Sequence, residues 1–276
     1  MKVFDCFTYF NEDELLEIRL QTLDAHVDCF VIAEATHTQS GLPKPMNFRP
    51  ERFARFAHKI RYILVDDMPL ARNDAWANEN HQRNALMRGL ADAAPDDLIL
   101  VSDLDEIPDP RGIAAYQTKY LRGTFIQRLF YYRLNNEALD PASGAPLTWR
   151  GPQITTCRHL RGFFGNTQNL RIYKPTGPLR TLRRKWLKSF SNQDIAEGGW
   201  HFSWVMPCDR MLAKIHSMAH QEFNTAQIAS LETIDQLLRE GKDILQRNLR
   251  FRRIELDDSF PPCLLQSRER LREFIL

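Results

Sequence analysis

The chain has 276 residues, 43% of them hydrophobic, with 37 Lys and Arg against 35 Asp and Glu. That length is enough to bury the core of one large α/β unit, and the near-neutral balance argues against a general nucleic-acid binder. The five cysteines (Cys6, Cys29, Cys157, Cys208, Cys263) are odd in number and form no C-x-x-C pair, which argues against a disulfide framework or a zinc cluster and fits a reducing compartment. Asp5 and Glu12 do not suit a signal peptide, and no apolar run approaches membrane-spanning length.

In chain order, Val3 to Phe10 reads as a buried strand. Asn11 offers a helix N-cap, with Glu14 completing a capping-box pattern. Leu16, Leu20 and Leu23 follow at helical spacing. Cys29 to Ala33 is a second apolar strand ending at Glu34, and Thr36 to Pro50, rich in Gly and Pro, is a loop. Ile60 to Val65 is a third strand, and Asn78 to Ala93 a helix with Leu86 and Leu90 inward. Strand and helix alternating in this way predict an α/β fold with a parallel sheet and crossover helices.

Leu98 to Val101 forms a fourth short apolar run. It ends in Ser102, Asp103, Asp105 and Glu106, and Pro108 hinders continuation into a helix. Three carboxylates at or just past the end of a buried strand stand on the edge where open α/β sheets bind ligands. Their mutual repulsion is relieved by a divalent cation, and hard oxygen donors suit Mn²⁺ or Mg²⁺. The competing reading is a solvated acidic turn.

Other residues fall on the same edge. Thr8 and Tyr9, after the first strand, can meet a nucleotide base or its phosphates, or merely pack the helix. Glu34 can accept hydrogen bonds from a ribose or uracil, or pair with an arginine. Arg83 lies on the helix feeding the acidic strand, within reach of a base or phosphate.

The segments Phe7-Thr8-Tyr9-Phe10-Asn11-Glu12, Val31-Ile32-Ala33-Glu34 with Gly41-Leu42-Pro43-Lys44-Pro45, Gln82-Arg83-Asn84, Ser102 to Pro108 and Gly199 to Trp204 together resemble glycosyltransferase family 17. That is the family of β-1,4-mannosyl-glycoprotein β-1,4-N-acetylglucosaminyltransferases. The resemblance runs from Val3 to about Arg247. It implies a GT-A-type, Rossmann-like α/β fold with a mixed, mainly parallel sheet over residues 1–276. Residues 1–110 would form a nucleotide-binding half, 111–250 an acceptor half that completes the metal site, and 251–276 a tail helix. It also implies an inverting, metal-dependent transfer, with N-acetylglucosamine from UDP-N-acetylglucosamine as the expected donor. Asp103 and Asp105 would hold the metal and His201 complete it, with His216 and His220 competing for that place. Ser102 and Asp103 would border the donor. The first strand begins close to Met1, where animal members carry an anchor and stem. A bacterial, cytoplasmic member is expected, touching the inner membrane face at most peripherally.

The second half is one-sidedly basic. No acidic residue falls between Asp140 and Asp194, against ten Lys and Arg, with Trp149, Phe163, Phe164, Tyr173 and Trp186 interleaved. Such a run suits an anionic or lipid-linked saccharide acceptor or an anionic membrane surface, the alternative being a solvated basic face. Gly198 and Gly199 allow close approach of backbone to a ligand. Asp209 to Ala219 and Thr225 to Glu240 read as helices, and the tail from Gln266 as a third. Inverting transfer needs a base for the acceptor hydroxyl. Glu222 is the first candidate, Glu197 the second, and Glu106 a third closer to the metal. A non-catalytic glycan- or anion-binding domain, or a nucleotidyltransferase, are the alternative functions.

Overall fold

Strands β1 (Val3–Thr8), β2 (Cys29–Ala35), β3 (Ile60–Val65) and β4 (Leu98–Asp103) lie parallel in the order β4-β1-β2-β3. The computed structural model describes residues 1–70, 74–173 and 191–276. Both faces of β1, β2 and β4 are covered, so these strands are mainly apolar and their residues alternate between two cores, while the edge strand β3 is only half-buried. Phe4, Cys6, Val31, Ile99 and Val101 face one core, together with Leu86 and Leu90. Phe7, Phe30, Leu98 and Leu100 face the other, against Leu16 and Leu20 of helix α1 (Asp13–Leu23). On β4 the alternation continues past the apolar run. Ser102 therefore falls on the side of α1, and Asp103 on the side of helix α2 (Ala75–Ala85).

The segment after α2 differs from the expected continuous helix. α2 ends at Ala85 and a 3₁₀ turn, Leu86–Leu90, carries the chain over β2. Gly89 permits this, because a Cβ there would lie 2.3 Å from Val31 Cγ1. The expected N-cap of α1 is also different. Glu12, not Asn11, occupies the cap position without capping the helix, and its carboxylate accepts from the amides of Phe10 and Asn11.

Beyond β4 the sheet is mixed. Its further strands are β5 (Glu106–Pro108), β6 (Arg122–Tyr131), β7 (Asn136–Leu139), β8 (Thr148–Thr156), β9 (Asn192–Ile195), β10 (Gly199–Ser203) and β11 (Arg250–Arg253). β8 runs antiparallel to β4 and β6 antiparallel to β8, while β10 is parallel to β6 and antiparallel to β5. One sheet of eleven strands thus runs through the described residues, in a Rossmann-like α/β arrangement.

The close approach allowed by Gly198 and Gly199 serves the sheet. A Cβ on Gly199, at φ +116°, would lie 2.2 Å from Ile107 O, and one on Gly198 2.7 Å from Ile126 N. These glycines press β10 between β5 and β6. Later helices are shorter than the periodicity predicts. They span Cys208–Ser217, Leu231–Arg239 and Pro262–Gln266, so the last one ends where the tail helix was expected to begin. Among the described residues no helix is long and apolar enough to cross a membrane, and the five cysteines are free thiols.

Candidate active site

A cavity of about 320 Å³ opens at the C-terminal ends of β1 and β4, the edge where α/β sheets take ligands, and its size suits a small-molecule site. Its inner wall is the turn between β4 and β5. The element that fixes this turn is Arg19 of α1, which has no exposed surface. Its guanidinium donates to both oxygens of buried Asp5 at 2.6 and 2.8 Å and to Ser102 Oγ at 2.6 Å. Nη1 points at the carbonyls of Asp103, Leu104 and Glu106, at 3.0, 3.1 and 3.0 Å. Five planar donors in a fixed fork suit a cluster of carbonyls that a flexible ammonium would hold less firmly. Arg19 thereby aims the side chains of the acidic turn, while the amide of Phe202 ties down the carbonyl of Asp105.

The acidic residues separate into two groups. Asp103 accepts from Arg83 at 2.9 Å and from Arg171 at 3.1 Å. Burial opposes ionisation of its carboxyl, but Arg171 and Arg83 outweigh that and hold it far below the usual carboxylate range. Arg171 also reaches Glu106 at 2.5 Å, and Glu106 accepts from the Trp149 indole and the Asp103 amide. Gly151 leaves room for this group, since a Cβ there would sit 2.7 Å from Glu106 Cδ. Asp105 has other partners. His201 Nε2 lies 3.6 Å from one oxygen and Lys214 Nζ 3.5 Å from the other. Burial again works against ionisation, yet Lys214 and His201 bring Asp105 down to about 2. Lys214 also stands 3.6 Å from Glu12.

The expected ligand set Asp103, Asp105 and His201 is therefore divided. Asp105 and His201 are brought together, whereas Asp103 is engaged by two arginines. Among the described residues no group of three or more His, Cys, Asp or Glu side chains is arranged to hold a metal ion. Charge and donor type still fit a divalent cation beside Asp105 and His201. Among the described residues, Glu12, Glu79, Asp103, Asp105 and Glu106 pair with Arg83, Arg171 and Lys214, five carboxylates against three cations, while Lys44, which also lines the cavity, is taken by Glu34. The buried Nδ1 of His201 also has no hydrogen-bond partner among the described residues.

The remaining expected residues divide in a similar way. Thr8 and Tyr9 line the cavity. The Tyr9 ring is buried edge-on against Phe48 and its hydroxyl donates to Asp13, so it packs the helix as well. Arg83 lines the cavity but is no surface arginine. It is buried and donates to Gln168, Glu79 and Asp103. Ser102 is outside the cavity lining, its hydroxyl turned to Arg19. Glu34 is likewise outside, because its buried carboxylate accepts from Lys44, Tyr62 and the amides of Asn47 and Phe48, which pins the Thr36 to Pro50 loop. Of the three candidate bases, Glu106 lines the cavity, paired with Arg171, whereas Glu197 and Glu222 do not line it. Glu197 sits exposed at φ +49° in the turn before β10. Glu222 is an exposed partner of His220, which does line it.

Sequence reasoning passed over Arg19 and Lys214. The signal for the first was an arginine on the apolar face of α1 opposite an aspartate inside an apolar strand. Of the basic run, Lys174, Arg180, Arg183, Arg184, Lys185 and Lys188, with Trp186, lie outside the described residues. Arg150 and Arg158 pair with Asp194 and Asp96, Arg161 donates to the Leu90 carbonyl, and Arg171 belongs to the site.

Comparison with known proteins bears on the first part of the chain. Residues 1–123 match the family model described as Glycosyltransferase family 17, so the resemblance holds for the segment from β1 through β5. The human and rat proteins named Beta-1,4-mannosyl-glycoprotein 4-beta-N-acetylglucosaminyltransferase are both 31% identical over 121 residues. The match covers 41% of this chain, but only 23% of the human protein and 22% of the rat one. The Gly199 to Trp204 segment lies beyond it. A solved 2-C-methyl-D-erythritol 4-phosphate cytidylyltransferase from Francisella tularensis aligns with a TM-score of 0.35 at 11% identity, over 71% of this chain and 90% of that one.

Proposed function

We propose that this chain is a glycosyltransferase that moves a sugar, N-acetylglucosamine from UDP-N-acetylglucosamine, onto a saccharide hydroxyl with inversion. The observation that carries this reading is the cavity at the ends of β1 and β4, walled by Asp103 and Asp105 inside the segment that matches the family. The donor sugar follows the name of the relatives. In a single displacement the acceptor oxygen bonds to the anomeric carbon. The bond from that carbon to the phosphate oxygen breaks, the diphosphate leaves with the electron pair, and the acceptor proton passes to a base.

The chain's own residues serve this step in three ways. Arg19 holds the turn so that Asp105 needs no rearrangement when substrate arrives. Arg83 and Arg171 fix Asp103 and supply positive charge to that side of the wall. Lys214 stands where negative charge on the leaving diphosphate would otherwise meet Asp105 and Glu12 unopposed. Asp105 and His201 would hold a Mn²⁺ or Mg²⁺ ion, and the donor diphosphate would complete its coordination. When bound, the ion supplies Lewis-acid charge to that diphosphate. Five free thiols suit the reducing, cytoplasmic setting expected for such an enzyme.

The test is a hydrolysis screen over nucleotide sugars, reading released nucleoside diphosphate. UDP-N-acetylglucosamine should be turned over above the other donors. Synthesis of a nucleotide sugar from a sugar phosphate would make the chain a nucleotidyltransferase. Binding of glycans without turnover of any donor would make it a non-catalytic binding domain.

A further inference from the structure

Every carboxylate in the cavity wall is engaged by a cation: Glu12 and Asp105 by Lys214, Glu79 and Asp103 by Arg83, Glu106 by Arg171. A carboxylate so held is a poor proton acceptor, because its neighbours favour the deprotonated form. An acceptor hydroxyl entering this cavity needs a base of another kind.

Three histidines line the cavity. His201 is buried beside Asp105 and belongs to the inner wall. His37 Nδ1 meets the Thr36 hydroxyl at 3.0 Å, and among the described residues no carboxylate pairs with its ring. His220 differs from both. Its Nδ1 lies 2.6 Å from Glu222 Oε1. A carboxylate on Nδ1 keeps the proton there, leaves Nε2 as the basic nitrogen, and stabilises the charge that develops when Nε2 takes a second proton. Trp76 packs edge-on against the same ring at 4.6 Å. It stays 45% exposed at the cavity mouth, although a tryptophan this large is usually well buried. Phe223 lies 5.9 Å from the same ring, tilted against it.

We propose that the rim formed by Trp76, His220 and Glu222 is the acceptor subsite, with His220 as the general base and Glu222 as its positioning residue. The proposal rests on the glycosyltransferase reading. The exposed Trp76 face suits the apolar C–H face of a saccharide ring, and His220 Nε2 takes the proton as that saccharide's oxygen bonds to the anomeric carbon. Glu222, expected from the sequence to be the base, acts through His220.

The experiment uses the whole chain with Mn²⁺ and two readouts: UDP affinity by calorimetry, and UDP-N-acetylglucosamine turnover with water or a mannose-terminated glycan as acceptor. His220→Asn should lower turnover about 100-fold or more while UDP affinity stays within twofold, with free imidazole restoring part of the rate. Glu222→Gln should lower kcat about tenfold and leave the glycan KM unmoved. Trp76→Ala should do the reverse, raising the glycan KM about tenfold at nearly constant kcat. Turnover by His220→Asn within threefold of wild type, with wild type active, would overturn the subsite and leave the glycosyltransferase reading standing. A wild-type chain that neither binds UDP nor turns over the donor would overturn both.

Discussion

The inner wall and the rim of this cavity are built on opposite terms. At the wall, Arg19, Asp5 and Glu106 show essentially no exposed surface, and their charges compensate one another inside the protein. At the rim, Trp76, His220 and Glu222 stay about half exposed and lean on each other rather than on the core. A buried ion pair adds little net stability but is costly to break from one side. An exposed pair is worth little either way. The wall therefore couples site geometry to folding, and the rim leaves substrate contacts free to change without touching the fold.

The largest effect should come from Arg19→Met, which strands Asp5 in the core. A loss of about 3–5 kcal/mol in unfolding free energy by denaturant titration is expected. A loss below about 1 kcal/mol would mean that the wall is not held by its ions. Next is Asp105→Asn, which keeps shape while removing the charge beside His201. Turnover should fall about 100-fold or more, and Mn²⁺ should no longer strengthen UDP binding. Full wild-type activity in EDTA, or Mn²⁺-enhanced UDP binding that survives the substitution, would put the ion elsewhere. Arg83→Ala should cost about 1–3 kcal/mol of stability together with weaker UDP binding, since it removes the donor to Gln168 and Glu79 and leaves Asp103 to Arg171 alone. Thermal unfolding and UDP titration of the same variant separate the two effects. Smallest of all, Glu222→Gln and Trp76→Ala should each change stability by less than about 0.5 kcal/mol. A cooperative melt displaced well beyond that would make the rim structural and erase the contrast.

Much of the wall was legible in the sequence because strand periodicity is a strong signal. Leu98 to Val101 bounded by Ser102 and Asp103 located both the strand and its ligand edge. What escaped was which neighbour each polar residue would meet. Ser102 and Asp103 are adjacent in sequence but point to opposite faces, so one is taken by Arg19 of α1 and the other by Arg83 of α2. That assignment needs the order of helices around the sheet. Glu34 was hidden for a related reason, because nothing local shows that the Thr36 to Pro50 loop folds back to satisfy it. Lys214 and His220 lie more than 100 residues after the acidic turn, where no local pattern ties them to it. The glycines at 198 and 199 signalled a close approach correctly but not its object, which is the neighbouring strand backbone.

The reach of Arg19 along the chain sets the order in which the site can assemble. Its pair with Asp5 closes a loop between residues only 14 apart, whereas the carbonyls of Asp103, Leu104 and Glu106 lie 84 to 87 positions downstream. Contacts that distant form late, after much chain entropy has been lost. On a ribosome, where N-terminal segments emerge first, β1 and α1 can meet with Arg19 already neutralised by Asp5. Nη1 then waits for β4 to slot in beside β1. Insertion of that strand delivers the acidic turn to a guanidinium already in place, so closing the sheet and setting the cavity wall become one event.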